Sequence, residues 1–418
     1  VAESGNTDTF TVVLDAEPDS DVVLTISSAD TGEATVTSSL TFTSANWDTA
    51  QTVTVTGVDD DLVDGTITST ITVSVNDGSS DNNFDGVSDQ TVSVTTTDDD
   101  VAGFTIAETN GSTSVAESGN TDTFTVVLDA QPSSDVVLSI SSADAGEATV
   151  TSSLTFTSAN WDTAQTVTVT GVDDDIIDGT QTTTITIAVI DAISDNAFDS
   201  VSNQTVSVST TDDDVAGFTI AETDGSTSVD ESGTTDTFTI VLDTQPSSDV
   251  VLSISSADTG EATVTSLLTF TSANWDTAQT VTVTGVDDDI IDGTQTTTVS
   301  VTVVDSISDD NFDGVSDQTI SVTTTDDDVA GFTIAETDGS TSVAESGTTD
   351  TFTVVLDAEP DSDVVLSISS SDTGEATVTS SLTFTSGNWD TPQTVTVTGA
   401  DDDLIDGTQT TTVTIAVN

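Results

Sequence analysis

The sequence predicts an all-β protein, built as a tandem array of immunoglobulin-like antiparallel β-sandwiches. Two observations predict this fold class. Short runs alternate between apolar and hydroxyl side chains, with clusters of Gly, Asp, Asn, Ser and Pro between them, and one order of such runs recurs four times along the chain. Alternation with a period of two is typical of strands that pack on one face and meet water on the other.

The repeat has a constant length. The four tryptophans of the chain, Trp47, Trp161, Trp275 and Trp389, are 114 residues apart, and the run LTFTSANWDTAQTVTVTGVDDD surrounds the first three of them. A period of this length is too long for a solenoid and fits one complete small domain. We therefore expect four closely similar sandwiches, with boundaries at 1–100, 101–214, 215–328 and 329–418.

Each complete repeat contains about seven predicted strands, the number found in an immunoglobulin-like sandwich. In the second repeat, Gln165–Val172 places Val167 and Val169 on one face and three threonines on the other. The remaining runs share this enrichment in Val, Ile, Thr and Phe. They are Gly103–Ala107, Asp122–Asp129, Asp135–Ser141, Leu154–Thr157, Thr182–Val189 and Gln204–Ser209.

The two outer repeats are shorter than the inner ones. Aligned with the second repeat, the first lacks the strand equivalent to Gly103–Ala107, and the fourth lacks the last strand with its acidic triplet. A sandwich without an edge strand exposes unpaired backbone groups. We therefore expect the sequence to be a window onto a longer array. The alternative is that neighbouring chains donate the missing strands and build a filament.

The charge of the chain is entirely negative. It has 75 Asp and Glu, no Lys, Arg, His or Cys, and a formal net charge of −75. This composition excludes Ser-His-Asp and Cys-His triads and imidazole or thiolate metal sites. It also argues against binding of nucleic acid or anionic membranes, and no stretch is apolar enough to insert into a membrane. Val, Ile, Leu and Phe make up about a quarter of the chain, enough for a core, and a metal cation is the expected neutraliser of the repulsion.

The tryptophan of each NWDT segment lies between two predicted strands. We expect it to cover one end of the sandwich core, because a large amphipathic ring gains most from burial of its apolar surface. The alternative is an exposed platform on which a ligand such as a sugar stacks.

Many of the acidic residues occur in Asp triplets that follow predicted strands. Adjacent carboxylates repel one another by about 1 kcal/mol per pair at 4 Å even in water. Oxygen ligands in a flexible loop suit Ca²⁺, which takes 6–8 of them, whereas Mg²⁺ keeps more of its water. The triplets therefore predict calcium binding, with charge for solubility alone as the alternative. They are 59–61, 98–100, 173–175, 212–214, 287–289, 326–328 and 401–403.

The ordered set of these motifs resembles the Calx-β domain. LTF, then QTVTVTGVDDD, two apolar residues and DG, then a strand and QTVSVTTTDDD, are similar to this family over essentially the whole of each repeat. The family includes the regulatory calcium-binding domains of sodium–calcium exchangers and many repeats of giant bacterial surface proteins. The resemblance implies Ca²⁺ at one end of each sandwich, held by a Glu before the second strand, an Asp after the third, and acids in two further loops.

Carried onto this sequence, the resemblance implies a set of metal ligands in each repeat. In the first and second repeats they are Glu3, Asp30, Asp59, Asp60, Asp64, Asp98, Asp99 and Asp100, and Glu117, Asp144, Asp173, Asp174, Asp178, Asp212, Asp213 and Asp214. In the third and fourth they are Glu231, Asp258, Asp287, Asp288, Asp292, Asp326, Asp327 and Asp328, and Glu345, Asp372, Asp401, Asp402 and Asp406.

A second acidic pattern lies before the last strand of a repeat. Asp81-x-Asn83-x-Asp85-Gly86 matches the opening of an EF-hand loop, as does the equivalent segment that starts at Asp309, but neither has Glu at the twelfth position. The second repeat interrupts the pattern with Ala197. The pattern therefore leaves two interpretations open, a calcium loop and a plain Asx turn.

These features favour an extracellular, calcium-stabilised structural protein, a stalk or filament segment of a bacterial surface adhesin or of a biofilm matrix fibre. Its expected partners are calcium ions, with copies of itself in a fibre, or a cell surface or glycan, as further candidates. The alternative is a calcium-dependent carbohydrate or cell-surface binding module, in which four equal copies add avidity. We do not expect an enzyme, because catalysis rarely needs four equal copies.

Overall fold

The fold of the chain is described here for all residues from Val1 to Asn418, in a computed structural model. The chain is all-β, and its only helices are six single-turn 3₁₀ helices. None of the helices is long and apolar enough to cross a membrane. The chain divides into two compact units, 1–174 with 178–213 and 175–177 with 214–418.

The first unit contains two sandwiches. The strands of the first sandwich are β1 (Thr7–Val12), β2 (Val22–Ser28), β3 (Ala34–Val36), β4 (Ser39–Phe42), β5 (Gln51–Gly57), β6 (Ile67–Val75) and β7 (Gln90–Thr96). Those of the second are β8 (Phe104–Glu108), β9 (Thr113–Ala116), β10 (Thr121–Leu128), β11 (Val136–Ser142), β12 (Ala148–Val150), β13 (Ser153–Phe156), β14 (Gln165–Gly171), β15 (Gln181–Val189) and β16 (Gln204–Thr211).

The second unit contains the third and fourth sandwiches. The strands of the third are β17 (Phe218–Glu222), β18 (Thr227–Asp230), β19 (Thr235–Leu242), β20 (Val250–Ser256), β21 (Ala262–Val264), β22 (Leu267–Phe270), β23 (Gln279–Gly285), β24 (Gln295–Val303) and β25 (Gln318–Thr325). Those of the fourth are β26 (Phe332–Glu336), β27 (Thr349–Leu356), β28 (Val364–Ser370), β29 (Ala376–Val378), β30 (Ser381–Phe384), β31 (Gln393–Gly399) and β32 (Val413–Val417).

Two sheets form each sandwich. In the second sandwich their strand orders are β12-β14-β10-β8 and β13-β11-β15-β16-β9, and the third sandwich has the same arrangement. The first sandwich has sheets β1-β5-β3 and β4-β2-β6-β7, and the fourth has β26-β27-β31-β29 and β30-β28-β32. The 3₁₀ helices precede the last strand in the first three sandwiches, at Asp77–Ser79, Asn82–Phe84, Asp191–Ile193, Asn196–Phe198, Asp305–Ile307 and Asp310–Phe312.

The alternating pattern sets the register of the strands and fills the core. In the pair β10–β14, Phe124 lies opposite Val167 and both are fully buried, whereas Thr123 lies opposite Thr168 on the solvent side. One apolar cluster fills each of the four sandwiches. Trp161 is partly buried and packs against the cluster of its own sandwich, as expected of a residue that covers the core. The acidic segments lie in the connections between strands.

The structure corrects two details of the predicted strands. The inner sandwiches have nine strands rather than about seven, because β9 and β12 (with β18 and β21) are only three or four residues long and too short to show a periodic pattern. The predicted antiparallel β-sandwiches are confirmed, except that one short strand of each inner sandwich pairs in parallel with its neighbour. Strand β9 pairs in parallel with β16, and β18 with β25, because the chain crosses from one sheet to the other just before each short strand.

Candidate metal centre

Acidic loops converge on a buried glutamate at one end of each of the first three sandwiches. In the first, Glu3 follows a short parallel bridge between Ala2 and Thr97, and its backbone N–H donates to the Thr97 carbonyl at 3.1 Å. Only 1% of Glu3 is exposed. Glu117 and Glu231 are exposed to the same 1%, after β9 and β18.

A glycine at the end of β5 allows this turn to approach the strand. A Cβ atom on Gly57 would lie 2.0 Å from the carbonyl oxygen of Ala2, and one on Gly285 would lie 2.1 Å from that of Asp230. Contacts this short are excluded for any other residue. The glycine of each TG(V/A)DDD segment therefore places the buried glutamate over the acidic loop that follows.

Five carboxylates meet in the first sandwich. One oxygen each of Glu3, Asp98 and Asp100 lie within 4.8 Å of one another, and so do one oxygen each of Glu3, Glu33 and Asp64. Glu3 thus belongs to both groups. In the third sandwich, Glu231, Asp288 and Asp328 form a group with the same spacing.

Backbone N–H groups hold the acidic loops in place. In the first sandwich, Asp98 Oδ2 accepts from the N–H of Asp64 (3.1 Å) and of Gly65 (2.7 Å), and its Oδ1 accepts from that of Asp100 (2.7 Å). In the third, Asp326 makes the equivalent bonds with Gly293 and Asp328. These bonds fix the Asp98 and Asp326 carboxylates and the backbone of the adjoining acidic loops without a metal, which lowers the entropic cost of forming a site.

The glutamates at the centre have no hydrogen-bond partner for at least one buried oxygen. These oxygens are Glu3 Oε2, Glu33 Oε2, both Oε atoms of Glu117, Glu147 Oε2, Glu231 Oε2, Glu261 Oε2 and, in addition, Asp328 Oδ2. An unpaired buried carboxylate is costly, and the chain has no Lys, Arg or His to compensate it. The compensating positive charge must come from a proton or a cation.

The buried glutamates have raised pKa values because of this burial and the surrounding negative charge. Burial, together with the negative charges of Asp98 and Asp60, raises the pKa of Glu3 to about 7 from an ordinary value of 4.5. Burial and neighbouring aspartates, first among them Asp212 and Asp288, likewise raise the pKa of Glu117 and Glu231 to about 7. The groups therefore take up protons when no cation is bound.

We expect the metal-free protein to lose stability as the pH rises from about 4.5 to about 7. In this range the folded state holds protons on Glu3, Glu117 and Glu231 that the unfolded state has lost, so the unfolding free energy falls with pH. A cation that binds these carboxylates needs the ionised form and releases the protons, so its affinity is expected to rise over the same range. Urea unfolding at several pH values without metal tests the first statement. A stability that increases across this range would contradict it.

The structure brings together only part of the ligand set predicted for the first sandwich. Glu3, Asp64, Asp98 and Asp100 meet, and the charge of Asp60 helps to raise the pKa of Glu3, Asp64 and Asp100. Asp59 and Asp99 are exposed and belong to neither carboxylate group.

The second and third sandwiches surround their buried glutamate in the same way as the first. The charges of Asp174, Asp178 and Asp212 raise the pKa of Glu117, whereas Asp214 belongs to the second compact unit of the chain. The charges of Asp292 and Asp326 raise the pKa of Glu231. The predicted ligands Asp173, Asp213, Asp287, Asp327 and Asp401 do not appear in the carboxylate groups.

Sequence reasoning missed one glutamate in each sandwich. Glu33 lies in the group with Glu3 and Asp64, and Glu147 and Glu261 stand at the same place in the second and third sandwiches. The predicted residue from this loop, Asp30, is exposed, and its Oδ1 accepts from the N–H of Gly32 at 3.0 Å. Asp144, Asp258 and Asp372 make the same turn. The only signal in the sequence is that a glutamate follows each SxDxG turn, and this alone does not show that the Glu rather than the Asp faces the other acidic loops.

The fourth sandwich is more open at this end. Glu345 is half-buried rather than buried. Burial and the charges of Asp406, Asp402 and Glu345 still raise the pKa of Glu375, the equivalent of Glu33. The residues that meet in the first three sandwiches are thus only partly assembled here.

The EF-hand-like segments form a capped turn. Asp309 is buried, its Oδ2 accepts from Ser247 Oγ (2.7 Å) and the Ser248 N–H (2.8 Å), and its Oδ1 accepts from the Asn311 N–H (3.0 Å). Burial alone would raise the pKa of Asp309, but these bonds lower it. Asp195 makes the same three bonds although Ala197 interrupts the motif. The pattern therefore marks an Asx turn that anchors a loop.

Replacement of Asp309 by Ala is expected to lower the unfolding free energy of the third sandwich by about 2 kcal/mol or more, because three hydrogen bonds to a buried carboxylate are lost. Replacement of the exposed neighbour Asp310 by Ala is the matched control and should have little effect. Chemical denaturation with and without calcium measures both variants. A loss seen only when calcium is present would instead make Asp309 a metal ligand.

The loop that carries Asp60 and Asp64 also contacts the second sandwich. Leu62 forms a parallel bridge with Gln131, whose N–H donates to the Asp61 carbonyl at 2.6 Å. The Val63 N–H donates to the Gln131 carbonyl at 3.1 Å, and the Val63 side chain packs against the core of the second sandwich.

Within the second unit, Ile290 and Glu359 form the equivalent bridge between the third and fourth sandwiches. The Glu359 N–H donates to the Asp289 carbonyl at 2.7 Å. One acidic loop thus serves both the carboxylate group and the joint to the next sandwich.

The sequence matches no protein-family model and no curated protein. The chain is similar to solved structures at low identity, with TM-scores between 0.21 and 0.26. One is the calcium-binding domain CBD12 of CALX1.1, with 14% identity over 47% of this chain and 80% of that one and a TM-score of 0.22.

Two further structures come from surface proteins. Domains 4–9 of the surface layer protein SbsC have 18% identity over 84% of this chain and 50% of that one, with a TM-score of 0.23. The human desmocollin-1 ectodomain has 10% identity over 87% of this chain and 66% of that one, with a TM-score of 0.26. The fold described above rests on the strand pairing and cores of this chain.

Proposed function

We propose that this chain is an extracellular structural repeat stabilised and stiffened by calcium, a stalk or filament segment of a bacterial surface adhesin or matrix fibre, with no catalytic role. One observation carries the proposal. A buried glutamate with at least one oxygen that lacks a hydrogen-bond partner lies among other acidic side chains at the same place in three successive sandwiches.

Calcium fits this donor set best. All available ligands are carboxylate or backbone oxygens, which suit hard cations and not the metals that require nitrogen or sulfur. Glu3, Glu33, Asp64, Asp98 and Asp100 offer up to ten oxygens in one region, and Ca²⁺ takes 6–8 of them, whereas Mg²⁺ keeps several waters. Because Glu3 belongs to two groups, the first sandwich has room for a pair of ions that share this residue.

The joint supports a mechanical role for the ion. Residues Asp60–Asp64 carry acids of the carboxylate group on one side and bond to Gln131 of the next sandwich on the other. An ion that fixes this loop also fixes the backbone that Gln131 bonds to. Calcium therefore stiffens the connection as well as the sandwich.

Repetition and environment are consistent with a role outside the cell. Four closely similar sandwiches provide length and reach rather than distinct chemistry. Extracellular modules bind calcium with dissociation constants of about 10⁻⁴–10⁻³ M and are saturated at millimolar calcium. The uniform negative charge keeps such segments soluble and apart until cations bind.

Replacement of Asp98, Asp99 and Asp100 by Asn in the whole chain is expected to loosen the joint between the first two sandwiches. The Gln131 amide, which bonds to the Asp61 carbonyl, should exchange with deuterium about tenfold faster in calcium, a change of about 1.4 kcal/mol. Small-angle scattering should show a broader range of dimensions.

The matched control replaces three exposed aspartates at other loops, Asp48, Asp162 and Asp276, by Asn. This variant removes the same charge and should leave exchange at Gln131 unchanged. The unaltered protein provides the decisive comparison. If its Gln131 amide exchanges with deuterium at the same rate in calcium and in chelator, the proposed stiffening is refuted.

A further inference from the structure

The turn between β8 and β9 contains a chemically labile pair. Asn110 and Gly111 are the only Asn-Gly pair in the sequence. The third and fourth sandwiches have Asp224-Gly225 and Asp338-Gly339 at the same position. The second sandwich thus differs from its neighbours by an amide in place of a carboxylate at this point.

The backbone requires the glycine that makes Asn110 labile. Gly111 has a φ of +83°, and Gly225 and Gly339 have +81° and +79°, a conformation that side chains of L-residues rarely adopt. Asn110 and Gly111 are both exposed, and a Cβ on Gly111 would meet nothing within 4 Å. Asn110 and Gly111 are therefore exposed to water, and no neighbouring side chain crowds the glycine.

We infer that Asn110 is a site of spontaneous deamidation. The Gly111 backbone nitrogen attacks Asn110 Cγ, loses its proton to solvent, and the bond from Cγ to the side-chain nitrogen breaks with release of ammonia. Water then opens the five-membered imide at either carbonyl, which leaves aspartate with a normal or a β-linked backbone. Water is the only co-reactant, and no oxidant or reductant takes part.

One hydrogen bond slows the reaction in the folded protein. The Gly111 N–H donates to the Glu108 carbonyl at 3.2 Å and must leave it before attack. Opening one exposed bond lowers the rate about fivefold relative to a free peptide. The normally linked product is the residue that the third and fourth sandwiches already carry in this turn, so this product fits the fold, whereas the β-linked product lengthens the backbone of the turn.

The reaction is measured on the whole chain after incubation at mildly alkaline pH. Cleavage after glutamate releases residues 109–117, TNGSTSVAE, because Glu108 and Glu117 flank this segment. Mass spectrometry should show the mass increase of an amide replaced by a carboxylate in this peptide. Synthetic TDGSTSVAE in both linkages identifies the products by retention time.

Two comparisons make the result decisive. Asn120 and Asn203, which precede Thr and Gln, should remain unchanged over the same time, and so should residue 110 in the N110Q protein. Free TNGSTSVAE should convert about fivefold faster than the folded protein. If the peptide converts while Asn110 in the protein does not, or if Asn120 and Asn203 convert as fast as Asn110, the inference is wrong.

Discussion

Removal of calcium is expected to lower the stability of every sandwich with an assembled carboxylate group, which is the largest effect that we predict. At about 5 mM, an ion with a dissociation constant of about 10⁻⁴–10⁻³ M stabilises a folded domain by roughly 1–2.3 kcal/mol per independent site. Calorimetry in about 5 mM calcium and in chelator measures the difference. The first three sandwiches should shift most, because the fourth holds its acids in a more open arrangement.

Magnesium is the control for this experiment. With a net charge of −75, any divalent salt screens repulsion and raises the melting temperature to some degree. Only a specific site distinguishes Ca²⁺ from Mg²⁺ at equal concentration. Equal melting temperatures in chelator and in calcium would contradict the predicted role of calcium, and equal effects of the two ions would reduce that role to screening.

Replacement of Glu231 by Gln is expected to change stability in opposite directions with and without calcium. Without metal at pH 8, the variant should be more stable than the unaltered protein by on the order of 2 kcal/mol, because Gln removes a buried charge whose pKa is raised to about 7. With calcium the variant should be less stable, because it lacks a ligand at the centre of the group formed with Asp288 and Asp328.

The control for Glu231→Gln is Asp276→Asn, which removes one exposed charge from the same sandwich. It should shift both measurements little and in the same direction. Chemical denaturation resolves the third sandwich if a variant that unfolds it selectively, such as Asp309→Ala, marks its transition. A Glu231→Gln protein that is less stable in both conditions would make this glutamate a structural residue rather than a ligand.

The strands and their faces were predictable because each depends on neighbours in sequence. The alternation in Gln165–Val172 predicts which side of β14 is buried, and Val167 and Val169 are fully buried. Strand β9 was not predicted, because its four residues form a strand only by pairing with β16, which lies almost a whole sandwich later in the chain. No local pattern encodes such a contact.

The carboxylate group was predictable only in part, because some of its members are marked by their neighbours in sequence and others are not. Asp98 and Asp100 stand out as members of a triplet, and Glu3 stands out through the family resemblance. Glu33 does not stand out, because its role depends on the folding of β3 against β5, which places the start of β3 beside the acidic loop. The bridge between Leu62 and Gln131 is likewise a product of tertiary structure.

The shared loop has a mechanical consequence for any longer array. Elements that bend in series add their compliances, so the softest joint determines how far the whole chain deflects under load. The joint within each compact unit is held by a backbone bond to an acidic loop, Asp61 with Gln131 and Asp289 with Glu359. If calcium stiffens such joints as proposed, the weakest-binding sandwich governs the persistence length at intermediate calcium, and tighter binding at any other joint leaves it almost unchanged.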